Sequence, residues 1–368
     1  MSEREPLFHI SRRFTAKRRR RVKPEAEVVL LCNPRAGGRW KELAKVLDAE
    51  EARYARRIVT DSVEDVAMAL DDLGHDAKLL CIYGGDGTIQ RILDRLSSTA
   101  PGELHIALLG GGTMNVTSRW LGFTARPADN FRHVVRAYRA GELLWRDVPL
   151  LEIETDGDFH RGFIFGMGPI IRLLDHYENG RKGKVAAVGL AARALAATWL
   201  KQPSSYERML RPMNGRVWMD DEALPYDEYA ALFANVTGQI NPGVEPFVAG
   251  RTRESFYCAA YAVSPRELTM ALPMLIRGWL PIDVPALVQR AIGRGDGERG
   301  VPKDARYVNR PAGKLRVESD EQLYTIDGEI LHTESGAVDV GMGPTLKLAA
   351  GPGLEQKMRL AAESMLGH

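Results

Sequence analysis

An open parallel α/β sheet, followed by an antiparallel β-sandwich with inserted helices, is the fold class this sequence predicts. Between residues 27 and 140, short apolar runs alternate with stretches of helical periodicity, the pattern of βα units. Three of these runs end in glycine-rich or polar loops, which in open parallel sheets gather at one edge. From Trp145 onward the pattern changes to many short β-favouring runs separated by turn residues.

The 368 residues are enough for two cores, and 45% hydrophobic with 27% charged is an ordinary globular composition. A net charge of +2 hides an asymmetry, because residues 1–24 hold nine Lys or Arg against two Glu. This basic arm reads as a disordered, solvated tail; anionic lipid headgroups or nucleic acid would also attract it. Cys32, Cys81 and Cys258 lie in apolar runs without metal-ligand spacing, and read as buried thiols of a reducing compartment. No apolar signal-peptide core follows the arm, and the most apolar window, residues 185–200, is too short to span a bilayer. The expected location is cytoplasmic, with peripheral contact at the inner face of the membrane.

In chain order, residues 27–32 form a first strand, the loop Asn33-Pro34-Arg35-Ala36-Gly37-Gly38-Arg39 follows, and a helix covers 40–52. Residues 56–59 make a short second strand. Asp61 and Glu64 resemble a capping box opening a helix with Val63, Val66, Ala67, Leu70 and Leu73 on one face. A buried strand over 79–83 runs into Gly84-Gly85-Asp86-Gly87-Thr88 and a helix to Leu96. The strand at 105–109 leads to Gly110-Gly111-Gly112-Thr113-Met114-Asn115, and Pro127 opens another helix. Beyond Trp145, runs at 150–155 and 159–165 flank Asp156-Gly157 as a hairpin. Further strands fall at 216–219, 229–236, 256–263, 314–318, 323–326, 337–342 and 345–348. Two apolar helical insertions, 185–200 and 266–280, either pack in the core or wall a cleft for an apolar ligand. Residues 293–303 read as a loop, and 354–365 as an amphipathic helix returning to the first domain.

Chemistry concentrates at two places. Three glycines within Gly84–Thr88 free the backbone to present N–H groups at a helix N-terminus, a donor surface for phosphate oxygens. Asp86 among them fits a divalent cation arriving with the phosphates, or simply an N-cap. Far downstream, Asp327-Gly328-Glu329 places two acids two positions apart, on one face if the strand is regular. An Asp-Gly turn with a solvent-facing Glu is the plainer alternative.

Asn33-Pro34 with Gly37, Gly84–Thr88, Gly111–Asn115 and Asp327-Gly328-Glu329, in that order and spacing, resemble the diacylglycerol kinase catalytic-domain family, which includes sphingosine and ceramide kinases. The resemblance spans roughly residues 26–350. It implies a nucleotide-binding α/β domain over 25–147, a β-sandwich lipid-substrate domain over 148–349, and an active site between them. It also implies ATP as co-substrate, Mg2+, and a lipid hydroxyl as acceptor, with no nucleic acid. Asn33, Pro34, Arg35, Gly37, Thr60, Gly84, Gly85, Asp86, Gly87, Thr88, Gly112, Thr113 and Asn115 would then hold the nucleotide. Asp327 would serve as general base with Glu329 orienting it or sharing the role, and Asp86 would engage Mg2+ or act as the base itself. Two departures stand out. Gly250-Arg251-Thr252-Arg253-Glu254-Ser255 lacks the acidic cluster of a structural Mg2+ site, and Gln90 replaces an Asn. An NAD kinase-like enzyme shares the glycine loop, though Gly-Gly-Gly-Thr-Met-Asn favours the lipid kinases; a non-catalytic nucleotide- or lipid-binding regulator is the third reading.

Overall fold

A computed structural model of the chain describes residues 27–35, 40–73, 76–99, 104–112, 115–169, 171–172, 210–240, 245–292 and 301–356. The basic arm, Gly37, Thr113, the 185–200 helix, most of the 293–303 loop and the end of the terminal helix lie outside these residues.

Strands β1 (Val28–Cys32), β2 (Ala55–Val59), β3 (Leu79–Tyr83) and β4 (His105–Leu108) pair in parallel, in the order β2-β1-β3-β4. Every residue of β1 and β3 is buried, which explains why both read as unbroken apolar runs. Helices α1 (Trp40–Asp48) and α5 (Pro127–Ala140) pack together, as do α2 (Val63–Asp71) and α3 (Asp86–Thr99), while α4 (Val116–Trp120) is a single turn and a half. The capping box of α2 lies one residue later than expected. Ser62 Oγ accepts from Asp65 N–H at 3.1 Å and the Asp65 carboxylate accepts from Ser62 N–H at 3.0 Å, since Asp at this position reaches back as Glu does.

After β5 (Trp145–Thr155) and β6 (Asp158–Gly162) come β7 (Ile164–Met167), β8 (Met213–Met219), β9 (Glu222–Ala223), β10 (Glu228–Tyr229), β11 (Ala231–Asn235) and β12 (Phe256–Tyr261). Helices α6 (Pro265–Leu275) and α7 (Val284–Ala291) precede β13 (Tyr307–Ala312), β14 (Lys314–Ser319), β15 (Leu323–Ile326), β16 (Glu329–His332) and β17 (Ala337–Ala349). A six-stranded sheet, β13-β12-β11-β7-β15-β16, is antiparallel throughout. The α/β half followed by an antiparallel β half is thus the architecture observed.

The two halves share a sheet. Residues 337–342 and 345–348 form one strand, bent by a bulge between Met342 and Thr345 where Pro344 cannot donate to the ladder. Through it β17 pairs antiparallel with β14 and β5, and parallel with β4 at Leu348↔Ile106, extending the first sheet to eleven strands. Beyond it, Gly351 N–H donates to Leu121 C=O at 2.7 Å, so residues 351–355 lie against the α/β half.

Other departures have local causes. The run 159–165 is two strands, because the chain passes from the first sheet to the second at Phe163. The 266–280 helix stops at Leu275, and Gly278 takes a left-handed φ of 70°. Among elements the sequence left unread, α7 is capped by Asp283, whose carboxylate accepts from Ala286 N–H at 2.9 Å. All three cysteines are buried, and burial pushes their thiols up, out of reactive range. No helix among the described residues is long and apolar enough to cross a membrane.

Candidate active site

Four loops meet at the C-terminal edge of the parallel strands and are tied to one another. Asn33 N–H donates to Tyr83 C=O at 2.9 Å, and its side-chain amide donates to Thr88 Oγ1 at 2.8 Å, binding the Asn-Pro loop to the first turn of α3. Its Oδ1 accepts from Arg35 N–H at 2.9 Å. Gly111 N–H donates to Gly84 C=O at 2.8 Å, and a methyl group at Gly111 would stand 3.1 Å from Gly84 N, so the two glycine loops stack backbone on backbone. The Thr88 and Ile89 N–H groups bond back to Gly85 C=O, leaving the preceding N–H groups of the helix end without intrahelical partners.

Not every expected contact residue turns outward. Thr60 is buried, with its hydroxyl donating to Cys32 C=O at 3.3 Å. Asn115 sits in the left-handed region at φ 50° and closes its own loop: Oδ1 accepts from Gly112 N–H and Nδ2 donates to Gly112 C=O, both at 2.8 Å. Beside this loop an open cavity of about 720 Å³ is lined by Lys41, Arg119, Arg126, Gly110 and Asn115 among others.

The distant acids do reach the glycine loop, but by different routes. Asp327 and Gly328 are the two turn residues joining β15 to β16, at φ 52° and 91°, so the regular-strand geometry does not apply. The Asp327 carboxylate accepts from Phe163 N–H at 3.1 Å and from Ile164 N–H at 2.9 Å. Phe163 is where the chain changes sheets, and Asp327 meets the backbone donors that the change frees. Glu329, paired across the turn with Ile326, is exposed but reaches the other way. A methyl group at Gly87 would fall 2.1 Å from Glu329 Oε1, so the carboxylate lies directly against the Gly87 backbone.

A second link joins the halves eight residues into α3. Asp94 Oδ1 accepts from Arg161 N–H, and Oδ2 accepts from the buried Gln90 amide at 3.0 Å and lies 3.4 Å from His160 Nδ1. The Arg161 guanidinium in turn reaches Glu152 at 2.6 Å. Sequence reasoning missed this cluster; Gln90 and Asp94 are a helical i, i+4 pair, but nothing local points from them to 160 and 161. The Asp94 carboxylate raises the His160 pKa, against the opposing effect of burial. Since folding raises this pKa, the contact contributes fully below the unfolded value near 6.5 and is lost as pH rises through the folded value. His160→Gln is therefore expected to lower stability by about 1 kcal/mol or less near pH 5.5 and to have no effect near pH 9. Urea midpoints that respond equally at both pH values would contradict the linkage.

The geometry is that of a glycine loop at a parallel-sheet edge, met by an acidic hairpin from an antiparallel sheet. Residues 27–141 match the family model of the diacylglycerol kinase catalytic domain. No curated protein matches the chain. A solved structure described as a diacylglycerol kinase from Bacillus anthracis str. Sterne overlaps with a TM-score of 0.56 at 14% identity, over 89% of this chain and 97% of its own. Two further solved chains from that organism give 0.59 and 0.57 at 16% identity, over 89% of this chain and 98% of theirs. At these identities the agreement is one of fold.

Proposed function

We propose that the protein is an ATP-dependent lipid kinase, transferring the γ-phosphoryl group to a hydroxyl of a diacylglycerol-like, sphingoid or related membrane lipid. The contact between the Glu329 carboxylate and Gly87 carries this reading, since it sets a proton acceptor beside a backbone suited to phosphate. Phosphoryl transfer needs positioning and charge neutralisation more than covalent help. The N–H groups at the start of α3, framed by Asn33 and Thr88, receive phosphate oxygens. Gly84, Gly85 and Gly87 keep that surface bare, and Pro34, Arg35, Gly37, Gly112 and Thr113 flank the nucleotide. Thr60 and Asn115 act by shaping their loops, their polar atoms being turned onto Cys32 and Gly112. Glu329 takes the proton of the attacking hydroxyl, while Asp327, engaged with Phe163 and Ile164, holds the turn that aims it. Asp86 is assigned to Mg2+, directly or through water; the ion supplies neutralisation of phosphate charge when bound.

The test offers labelled ATP and Mg2+ with a total lipid extract in one arm and NAD in another. Label in the lipid fraction is the expected result. Label in NAD alone would replace this reading with the NAD kinase-like one, and nucleotide binding without any labelled product would make the protein a non-catalytic binder. A separate expectation concerns the arm: removing residues 1–22 lowers sedimentation with anionic vesicles at low salt and leaves ATP affinity unchanged. Unchanged sedimentation would assign the arm another purpose.

A further inference from the structure

Nine of the fourteen large apolar side chains that stand exposed among the described residues lie between Met270 and Val301. Their centre is α7. Val284, Leu287, Val288 and Ile292 recur at helical spacing and form one stripe, yet they are 61%, 39%, 54% and 61% exposed, and no residue of the helix is buried. An amphipathic helix of a globular protein turns such a stripe inward; one turned outward marks a surface that another body covers. Trp279, 62% exposed in the connection from α6, and Met270 on α6 itself carry the apolar surface onward.

Charge narrows the choice of that body. The described residues of this stretch, 265–292 and 301–306, hold Arg266, Arg277, Arg290, Lys303 and Arg306 against three acids. Each acid is engaged. The carboxylates of Glu267 and Asp304 both sit on the Arg306 guanidinium, at 2.7 and 2.8 Å, and Asp283 caps α7. The surface is thus apolar, with five cations to three acids along the same stretch. A second copy docked on the same face would, by two-fold symmetry, bring like charges together as it excluded water. A bilayer with anionic headgroups instead offers charge of the opposite sign around an apolar interior. An outward apolar stripe, a neighbouring tryptophan and flanking Arg and Lys are also the features of helices that lie in a membrane interface.

We infer that the α6–α7 face docks the protein on an anionic lipid bilayer, with the α7 stripe and Trp279 entering the headgroup–acyl boundary. This surface is separate from the basic arm and from the glycine-loop site, and it stands whatever hydroxyl is phosphorylated.

The test adds the full-length chain to vesicles of phosphatidylglycerol and phosphatidylcholine, with and without brominated acyl chains, and follows tryptophan emission. Brominated vesicles are expected to quench part of the emission at both low and high salt, and Trp279→Phe to remove that part while binding persists. Val288→Asp combined with Ile292→Asp should raise the lipid concentration for half-binding about tenfold or more, with the circular dichroism spectrum and Tm unchanged, because both side chains are exposed. Quenching that Trp279→Phe leaves intact would overturn the proposal. So would a concentration-dependent dimer that the Asp variant dissociates, which would give the face to a second copy. Trp279 emission already blue-shifted and shielded from acrylamide without vesicles would give it to the chain itself, and capture of a soluble acidic protein in place of vesicles would give it to a protein partner; each excludes the bilayer.

Discussion

Glu329→Gln is expected to lower kcat by about 10²- to 10⁴-fold, the usual contribution of a positioned general base, with little change in KM for ATP. Glu329 is exposed and its carboxylate lies against Gly87, so the amide leaves the fold and Tm intact. Gly87→Ala reaches the same group from the other side. Its methyl carbon would stand 2.1 Å from Oε1 and 2.3 Å from Cδ of Glu329, a separation that forces the carboxylate away. Because the side chain is long and its end exposed, it swings aside and the fold survives, but the proton acceptor is lost. The two substitutions therefore remove one function, and the double variant is expected to be little worse than either single one. Multiplying losses in the cycle would show that Gly87 and Glu329 act separately. Near-normal turnover in folded Glu329→Gln would take this residue out of the chemistry.

How much of this was legible depended on whether the signal was local. The glycine loop was, because the strand before it is buried on both faces and the helix after it begins at once, so apolar run and glycines are adjacent in the chain. The Asp156-Gly157 hairpin was legible for the same reason: its left-handed φ values of 53° and 87° need these residue types. Asp327-Gly328 carries the same turn chemistry, and read as a strand it misled. What the sequence could not reveal is where a turn's carboxylate goes. The Asp156 carboxylate is held at about 2 by the Ser335 side chain, then by Glu334 N–H, from a segment nearly two hundred residues away. The Asp327 carboxylate meets donors created by a sheet crossing at Phe163, and that crossing leaves no mark in a run of β-favouring residues. The Asp94 cluster and the sharing of β17 between both halves are likewise products of long-range pairing. The helix α7 went unread, and Pro285 lies within its first turn, where proline is tolerated.

Asp327 should behave differently from Glu329, and the difference separates holding a turn from moving a proton. Asp327→Ala removes the acceptor from Phe163 N–H, whose residue is fully buried, and from Ile164 N–H. Each orphaned donor costs about 1–3 kcal/mol, and a left-handed φ without Asp or Asn adds about 1–2 kcal/mol. The expected loss is about 3–8 kcal/mol, seen as a lower urea midpoint, with turnover lost as the hairpin shifts. Asp327→Asn keeps the left-handed turn and one acceptor oxygen, so its expected cost is only about 1–2 kcal/mol, and turnover falls about tenfold or less. Were Asp327 the general base, the order would invert: Asn would abolish turnover as fully as Glu329→Gln does while barely moving the midpoint. Measuring both variants for stability and for the pH dependence of kcat decides between the two carboxylates, because only loss of the true base removes the acidic limb of that profile.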